Sequence, residues 1–241
     1  MEPRTYRHWV EGKDLIPFTV TVKETDLYIL ASTNLQRKAR RLVLKYRRLL
    51  EKYIERYPPF LTSLVPIFSP KDAPLIVKHM VEATRKAGVG PMASVAGAIA
   101  EFVGKELLTL SQEIIVENGG DIYLKSLRKR IVGIYAGASS LTGKIGLEIE
   151  GQDTPLGICT SSGTVGHSLS YGKADAVVVI SESAILADAM ATAIGNLISQ
   201  CSDIADGIEF GKGVQGLRGI VIIKDDNIGL WGEVKICQTS V

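Results

Sequence analysis

The sequence predicts an α+β fold in which a largely antiparallel sheet packs against long helices. Strand-like segments follow one another in groups instead of alternating singly with helices, which disfavours a parallel βαβ architecture. Helix-like segments are few and long, and two of them are rich in alanine and glycine. Hydrophobic residues make up 46% of the 241 residues and charged residues 22%, a composition typical of chains with a packed core. We expect residues 1–241 to form a single domain.

The first predicted elements are a hairpin and a long helix. β-forming side chains alternate over residues 17–23 and cluster over 26–30, with a short polar break between the two stretches. Apolar residues then recur at helical spacing until a pair of prolines ends the run, which predicts an amphipathic helix at about 34–57.

The outer face of that helix is strongly basic. Nine cations and two carboxylates give residues 37–56 a charge of +7, which leaves −5 for the rest of a chain whose net charge is +2. Such a face is typical of a solvated helix or of a contact with an acidic subunit. Nucleic acid is disfavoured as a partner, because no aromatic residues lie among the cations as a stacking platform.

Two more helices are predicted before the strands resume. The first covers residues 72–86. The second begins at Gly90 and Pro91, because proline is tolerated in the first turn of a helix. Its residues 91–100 carry no charge, and its small side chains fall on one stripe that would let neighbouring elements approach closely. We therefore expect this second helix to be buried at the centre of the fold.

Strands dominate the rest of the chain, with one further helix at about 182–200. The predicted strands cover residues 113–117, 121–125, 130–135, 144–150, 156–160, 176–180, 219–223, 228–231 and 233–237. Residues 211–216 match the letters GxGxxG, but they lack the preceding strand and following helix of a dinucleotide site, so we predict a flexible connection. The two alanine- and glycine-rich helices each lie beside a pair of strands, which suggests a duplicated arrangement.

Residues 116–124, VENGGDIYL, place polar and glycine residues between two strand-like halves. Asn-Gly and Gly-Gly are both typical of a primed hairpin turn. Glycines also let a backbone approach a ligand closely. Asn118, Gly119, Gly120 and Asp121 are therefore candidates for a turn and for one wall of a ligand site.

The last predicted helix carries a possible metal site. Asp188, Thr192 and Asn196 are spaced by four residues and project from one helical face whose surroundings are mostly apolar. A buried carboxylate needs a partner, and a hard cation such as magnesium takes carboxylate and hydroxyl oxygens. The alternative is that Asp188 caps a neighbouring loop and that Thr192 bonds back to its own helix.

A segment dense in hydroxyls and glycines, TSSGTVGHS, is the third candidate. Inward-turned N–H groups and hydroxyls are what a phosphate requires, and His167 can transfer a proton near neutral pH. The alternative is an ordinary loop between strands. The candidate phosphate-binding residues are Thr160, Ser161, Ser162 and Gly163.

Hydrolase chemistry is a weaker hypothesis. It would combine a serine of TSSG with His167 and with Asp121 or Asp188, but the GxSxG motif is absent. Cys159, directly before TSSG, could act as a thiol nucleophile or sulfur carrier, although a free cysteine more commonly packs as a small hydrophobe.

The sequence favours the cytoplasm. No apolar run approaches the roughly 20 residues of a membrane span, and no apolar signal segment follows the N-terminus. The three cysteines are an odd number without CxxC spacing, so we expect reduced thiols.

Four segments, taken in order, resemble the ApbE family. They are GPMASVAGAIAEFVGKELL, VENGGDIYL, TSSG and ILADAMATAIGN, and the resemblance covers roughly residues 88–196, about half of the chain. Characterised ApbE proteins are magnesium-dependent FAD:protein FMN transferases on an α+β, T-fold-like scaffold. The chain looks most like the shorter, uncharacterised branch of this family.

The resemblance implies ligands for particular residues. The family's metal-ligating Asp and Thr are similar to Asp188 and Thr192, which implies Mg²⁺. Its AlaGlyGlyAsp segment resembles residues 118–121, beside the site for FAD or FMN, and its SerGly segment resembles Ser162 and Gly163. In a transfer reaction, the cation would neutralise a pyrophosphate and His167 would act as the acid or base.

Two departures from the transferase pattern bear on activity. Ala96 and Gly97 stand where transferases have Lys-Gly, and Glu101 stands where they have Asp. Only His167 and Ser168 stand where transferases have His-x-x-Asp-Pro-x-Thr-Gly. The sequence thus leaves open a transferase-like protein with a phosphate-bearing ligand, or a non-catalytic accessory protein in cofactor or sulfur metabolism. The resemblance to T-fold-like proteins also implies a homo-oligomer.

Overall fold

The computed structural model describes residues 9–164 and 171–239. The strands are Ile16–Val22 (β1), Thr25–Ala31 (β2), Ile114–Asn118 (β3), Asp121–Lys125 (β4), Arg130–Gly133 (β5), Ile145–Ile149 (β6), Leu156–Ser161 (β7), Ala176–Ser181 (β8), Leu217–Lys224 (β9), Asn227–Gly232 (β10) and Ile236–Gln238 (β11). The helices are Gln36–Arg56 (α1), Pro59–Thr62 (α2), Leu75–Ala87 (α3), Val95–Leu107 (α4), Ala184–Leu197 (α5) and Ile204–Lys212 (α6).

The described strands form a large sheet and a small one. The large sheet has the order β1-β2-β3-β4-β7-β8-β9-β10, and the small sheet has the order β11-β6-β5. Neighbouring strands are antiparallel in both sheets. The predicted α+β class with a largely antiparallel sheet is therefore confirmed.

The large sheet consists of two similar halves. The first half runs hairpin β1-β2, helices α1 to α4, hairpin β3-β4, and the second runs hairpin β7-β8, helices α5 and α6, hairpin β9-β10. The halves meet where β4 pairs with β7. The duplicated arrangement of helices and strand pairs that the sequence suggests is present in the order of the elements.

Apolar cores cover both faces of the large sheet. On one face the helices bury a cluster that includes Leu27, Tyr123 and Met190. On the other face, Leu124 and Ile158 of the large sheet pack with residues of the small sheet. Because side chains alternate along a strand, successive residues of β4 and β7 point into different cores. This alternation decides which polar residues can meet beneath the helices.

The long basic helix lies where the sequence predicts it, with α1 beginning and ending within two residues of 34–57. Its buried residues form the apolar stripe: Ala39, Leu42, Val43, Tyr46, Leu50 and Tyr53. Most of its cations lie on the exposed side. The segment is thus an amphipathic helix with a basic outer face, as predicted.

The two small-residue helices cross in close contact. A Cβ atom on Gly97 of α4 would overlap the carbonyl oxygen of Ala184 at the start of α5 and would lie 2.8 Å from the Cβ of Asp188. A Cβ on Gly157 of β7 would likewise overlap the backbone of Ala184. Glycine is required at both places by this close approach, and the predicted central position of α4 is confirmed.

Helix α6 is not predicted by the sequence, and the strands of the small sheet are predicted but not as a separate sheet. Residues 211–216 were predicted to be a flexible connection, but Gly211 and Lys212 form the last turn of α6. Gly207 and Gly211 lower the helix propensity of this segment. They also let α6 pack closely on Ile220 and Ile222 of β9, where a Cβ on either glycine would clash. Tertiary packing therefore outweighs the local sequence signal.

Among the described helices, none is by itself long and apolar enough to cross a membrane. One bent pair, Leu75–Ala87 with Pro91–Leu107, reaches that length and composition only across a bend of 103°.

Candidate functional site

The VENGGD segment forms a tight hairpin turn. Asn118 pairs with Asp121 across the β3-β4 ladder, and Gly119 and Gly120 form the turn with φ values of 70° and 106°. Positive φ at both central residues is the property of the primed turn that the sequence predicts. Glu117 Oε1 accepts a hydrogen bond of 2.9 Å from the Gly120 N–H. The turn is therefore held by a buried carboxylate as well as by glycine.

Asp121 faces the helices together with Cys159. The two residues are register partners on β4 and β7. Tyr123 and Cys159 belong to the helix-side core, so alternation places Asp121 on that face too. Both residues are buried, and the Cys159 Sγ lies 3.3 Å from the carbonyl oxygen of Ala184. A carboxyl group thus lies under the start of α5.

Asp188 caps the first turn of α4. Its Oδ2 accepts a hydrogen bond of 2.8 Å from the Gly97 N–H, and the Ala96 N–H also donates to this carboxylate. The first N–H groups of a helix have no partner within the helix, and a carboxylate at this end also interacts favourably with the helix dipole. Asp188 therefore acts as a cap, as the alternative interpretation of the sequence has it, but the element that it caps is a helix and not a loop.

Glu101 of α4 caps α5 in return. Its Oε2 accepts hydrogen bonds from the Ser183 hydroxyl at 2.9 Å and from the Ile185 N–H at 3.2 Å. Lys105 neutralises the other oxygen at 2.6 Å. The two central helices therefore cap each other through Asp188 and Glu101, and each cap depends on the crossing at Gly97.

Asn118 links the hairpin turn to the same helix end. Its Nδ2 donates a hydrogen bond of 3.0 Å to the carbonyl oxygen of Ala96. The first turn of α4 is thus held by Asn118 on one side and by Asp188 on the other. The structure therefore brings Asp188 of α5 to the hairpin turn that carries Asn118 and Asp121, although Asp188 lies about 70 positions away in the sequence.

Burial raises the acid pKa values in this cluster. The pKa of Asp121 is well above its usual range, first because burial removes the carboxyl from water and then because Asp188 and Glu117 are nearby. Burial also raises the pKa of Asp188 to about 7, against the opposing effect of the N–H groups that it accepts. Two such carboxyls cannot both ionise without a compensating positive charge. The pair therefore holds a proton or requires a cation.

The two other polar residues of α5 lie along the same helix. Thr192, one turn after Asp188, is buried with 9% of its surface exposed. Asn196 Oδ1 accepts a hydrogen bond of 2.9 Å from the Tyr171 N–H. No group of three or more His, Cys, Asp or Glu residues in the described parts of the chain could hold a metal ion. A cation at Asp188 and Thr192 would therefore need further oxygen ligands from backbone, water or a bound phosphate.

The TSSG residues divide between the two faces of the sheet. Ser161 follows Cys159 toward the helices, whereas Thr160 points to the side of the small sheet. Ser162 Oγ accepts a hydrogen bond of 3.1 Å from the Thr164 N–H, and the Gly163 N–H donates to Ala174 at 2.9 Å. The Gly163 N–H is thus used within the fold, and Ser161 is the TSSG side chain that points to the same face as Cys159.

Three glycines attach this segment to α5. A Cβ on Gly163 would overlap the Gly172 carbonyl, and a Cβ on Gly172 would overlap the Gly195 carbonyl in the last turn of α5. These contacts place the TSSG segment against the C-terminal end of the helix that carries Asp188. His167, predicted as the acid or base, lies outside the described residues.

Glu101 and Glu117 were missed as parts of this site. In the sequence Glu101 stands out only as a departure from the transferase pattern, although a lone carboxylate on a stripe of small residues is itself a sign of a buried partner. Glu117 lies in β3, where Ile114 to Glu117 are all buried in succession, so no polar–apolar alternation in the sequence marks it. Burial also raises the pKa of the Cys159 thiol well above its usual range, which opposes the nucleophile hypothesis.

The chain is similar to one protein family over most of its length. A family model described as AbpE bacteria matches residues 7–211. A UPF0280 protein of Methanococcus aeolicus is 44% identical over 222 residues, which cover 84% of this chain and 87% of that protein. A UPF0280 protein of Methanocaldococcus jannaschii is 42% identical over 221 residues, which cover 89% and 90%.

Solved structures confirm the ApbE-like fold. The apo form of the Pseudomonas stutzeri flavinyl transferase ApbE superposes with a TM-score of 0.60 at 14% identity, covering 90% of this chain and 93% of that chain. The flavin transferase ApbE of Vibrio cholerae has a TM-score of 0.54 at 14% identity, covering 90% and 96%. At this level of identity the likeness extends to the fold.

Proposed function

Because the chain belongs to the family described as AbpE bacteria, we propose that it binds a phosphate-bearing ligand, such as a flavin nucleotide, together with a divalent cation. The binding site is the cluster formed by the β3-β4 turn, the first turn of α4 and the Asp188 side of α5. FAD or FMN is the ligand to test first, since the solved relatives of this fold are flavin transferases.

The carboxyl pair of Asp121 and Asp188 carries this proposal. Both groups have raised pKa values because they are removed from water. The charge of Asp188 raises the pKa of Asp121 further, whereas the N–H groups of the first turn of α4 partly oppose the shift at Asp188. A divalent cation would supply the positive charge that the pair lacks, with carboxylate and hydroxyl oxygens as suitable ligands. Asp188 and Thr192 fit a cation chemically, and phosphate oxygens of the ligand would complete its coordination.

The chain's own residues would position the ligand. Gly119 and Gly120 leave the turn without side chains, so a phosphate or ring could approach its backbone. Asn118 fixes this turn against α4, and Asp188 fixes α4 against α5. When bound, the cation would offset phosphate charge. For a transferase, His167 remains the proposed acid or base and Asp188 the proposed cation ligand.

Calorimetric titration tests the binding proposal. FAD, FMN and ATP are each titrated into the protein with and without MgCl₂, and we expect binding of at least one nucleotide to be strengthened by the cation. The Asp188→Asn variant removes a negative charge from the cation site, so we expect it to lose at least about tenfold in Mg²⁺-dependent affinity. Asp72→Asn, on an exposed loop, is the matched control. Absence of binding for all three nucleotides would exclude this proposal.

A second candidate is a non-catalytic binding or accessory protein in cofactor or sulfur metabolism. Glu101, which replaces the family's Asp, is fully engaged in capping α5 and in the ion pair with Lys105. Ala96 replaces the family's Lys, so this turn offers no cation to a phosphate. Incubation with FAD and a flavin-acceptor protein separates the candidates, because covalent flavin on the acceptor would rule out the non-catalytic one.

Serine or cysteine hydrolase chemistry has less support. Cys159 is buried with a raised thiol pKa, and the Ser162 hydroxyl bonds within its own turn. Labelling of Ser161 or Ser162 by a serine-hydrolase probe would support this hypothesis.

The three unpaired cysteines are compatible with the cytoplasmic location that the sequence favours.

A further inference from the structure

The exposed face of α1 carries cations that its neighbours leave unneutralised. Lys45 and Arg47 form ion pairs with nearby carboxylates. The other exposed arginines and lysines of α1 have no ion pair within residues 9–164 and 171–239: Arg37, Arg40, Arg41, Arg48, Lys52 and Arg56. This surface retains its positive charge in the folded chain.

An exposed leucine lies among these cations. Arg41, Leu44 and Arg48 are at positions i, i+3 and i+7, so they share one side of α1. Leu44 is 41% exposed, whereas the residues of the opposite stripe are buried. We call these three residues the α1 stripe. Its pattern, an apolar side chain flanked by two cations, fits an apolar groove with an acidic rim.

Such a groove lies at the far edge of the large sheet. It has a volume of about 440 Å³ and runs between α6 and β10. Its apolar lining includes Ile204, Ile208 and Leu230, and its lining also includes Glu209, which forms an ion pair with Lys212. Residues 203–212 and 224–226 together carry five carboxylates and two cations, so the surroundings of the groove are acidic. We call this feature the α6–β10 groove.

The two surfaces lie at opposite ends of one sheet. Helix α1 packs on the edge strand β1, and α6 packs on β9 and the other edge strand β10. One chain therefore cannot bring its own α1 stripe to its own groove. Pairing through the β1 edge is also hindered, because Pro17 has no N–H to donate. The helix is the more suitable contact at that end.

We propose that the α1 stripe of one copy of this chain docks in the α6–β10 groove of a second copy. Leu44 enters the apolar lining, and Arg41 and Arg48 face Asp206 and Glu209. The contact joins two different surfaces, so it is heterologous and repeats from copy to copy until a ring closes or a filament extends. The charge division of +7 and −5 along the chain then serves assembly.

Charge exchange between the two surfaces is the direct test. Size-exclusion chromatography with light scattering at 50 mM NaCl should give wild-type masses above the 26.0 kDa of one chain, falling toward that mass at 1 M NaCl. The variants Arg41→Glu/Arg48→Glu and Asp206→Lys/Glu209→Lys should each weaken self-association at least about tenfold. Mixing them should restore it, since each reversed face then meets a reversed partner. Lys86→Glu/Lys144→Glu changes the charge equally elsewhere and should leave the mass unchanged.

A crosslink gives an independent reading of the same contact. Cys201 lines the groove, so a Leu44→Cys variant under mild copper-catalysed oxidation should form a disulfide between positions 44 and 201 of two chains. The same variant with Cys201→Ser should not. Wild-type protein that stays at 26.0 kDa at all concentrations, an effect of the control equal to that of the charge reversals, or no restoration on mixing would each overturn the proposal. Circular dichroism confirms that every variant is folded.

Discussion

Asp121 and Asp188 occupy positions where an ordinary carboxylate would be unstable on its own. Asp121 of β4 is buried beside Cys159 of β7, and Asp188 points at the start of α4. Backbone N–H groups compensate part of the Asp188 charge, but a second acid lies close by. At the residue scale, the two carboxyl groups therefore hold a proton or require a compensating positive charge.

The stability of the protein should depend on pH through these two acids. Their folded pKa values are raised above the value of about 4 in the unfolded chain, so the folded state binds more protons between about pH 4 and 7. The stabilising contribution of Asp188 is complete below pH 4 and is lost as the pH rises through its folded pKa of about 7. Urea unfolding followed by circular dichroism should show that the free energy of unfolding falls, as the pH rises, by up to about 1.4 kcal/mol per pH unit for each additional proton that the folded state binds.

Variants separate this effect from the rest of the chain. Asp188→Asn should flatten the decline between pH 4 and 7, because an amide resembles the protonated carboxyl. Asp72→Asn, on an exposed loop, should keep the wild-type profile. If Asp188→Asn and wild type have the same slope, the carboxyl pair does not titrate in this window and the assignment is wrong.

The Gly97 crossing gives a prediction about packing. Gly97→Ala would place a Cβ against the backbone of Ala184, where no flexible side chain can move away. We expect a loss of about 1–3 kcal/mol in the free energy of unfolding, as for overpacking of a core. Gly213→Ala is the control, because its Cβ would meet only a carbonyl at 3.5 Å. Equal midpoints of thermal unfolding for the two variants would contradict this close approach.

At the element scale, the reciprocal caps join α4 and α5 into one unit. Asp188 satisfies the first N–H groups of α4, and Glu101 satisfies the start of α5 with Ser183. The N-terminal end of each helix is thus capped by a carboxylate from the other helix. Ligand binding at Asp188 would therefore be felt at the start of α4 and, through Asn118, at the hairpin turn.

A double-mutant cycle measures the α5 cap. Glu101→Gln and Ser183→Ala should each cost about 1–2 kcal/mol, because each removes a partner of the first turn of α5. Since the two side chains are hydrogen-bonded, the double variant should cost less than the sum by at least about 0.5 kcal/mol. Glu82→Gln, on the exposed face of α3, should change stability by less than about 0.5 kcal/mol. Strict additivity would show that the two side chains do not act together.

At the scale of the whole molecule, the large sheet joins two halves of similar order. In each half, one hairpin precedes the helices along the chain and the other hairpin follows them. The centre of the sheet is the β4-β7 pair. The candidate site lies at this centre, where Asp121 from the first half meets Cys159 and α5 from the second. The outer edges carry the α1 stripe and the α6–β10 groove. The candidate site and the proposed assembly surfaces are therefore separate, and variants of one can leave the other unchanged.

Local patterns in the sequence were sufficient for much of this arrangement. Alternating and helical spacing predicted the hairpin β1-β2, helix α1 and the primed turn at Gly119 and Gly120, because these depend on residues close together in the chain. The small-residue pattern also predicted a buried α4. Local patterns did not predict α6, because its glycines lower the helix propensity of the segment. In the folded chain, these glycines allow close packing on β9.

The sequence by itself determined most of the elements, with α6 as an exception, together with the basic face of α1 and the polar residues available for a site. Only the tertiary structure decided which of them meet. Asp188 accepts its hydrogen bond from Gly97, a residue 91 positions away, and the register of β4 on β7 sets Asp121 beside Cys159. Alternation along β7 directs Thr160, next to Cys159, away from the helices. Such pairings depend on how distant apolar faces pack together, and no local spacing contains that information.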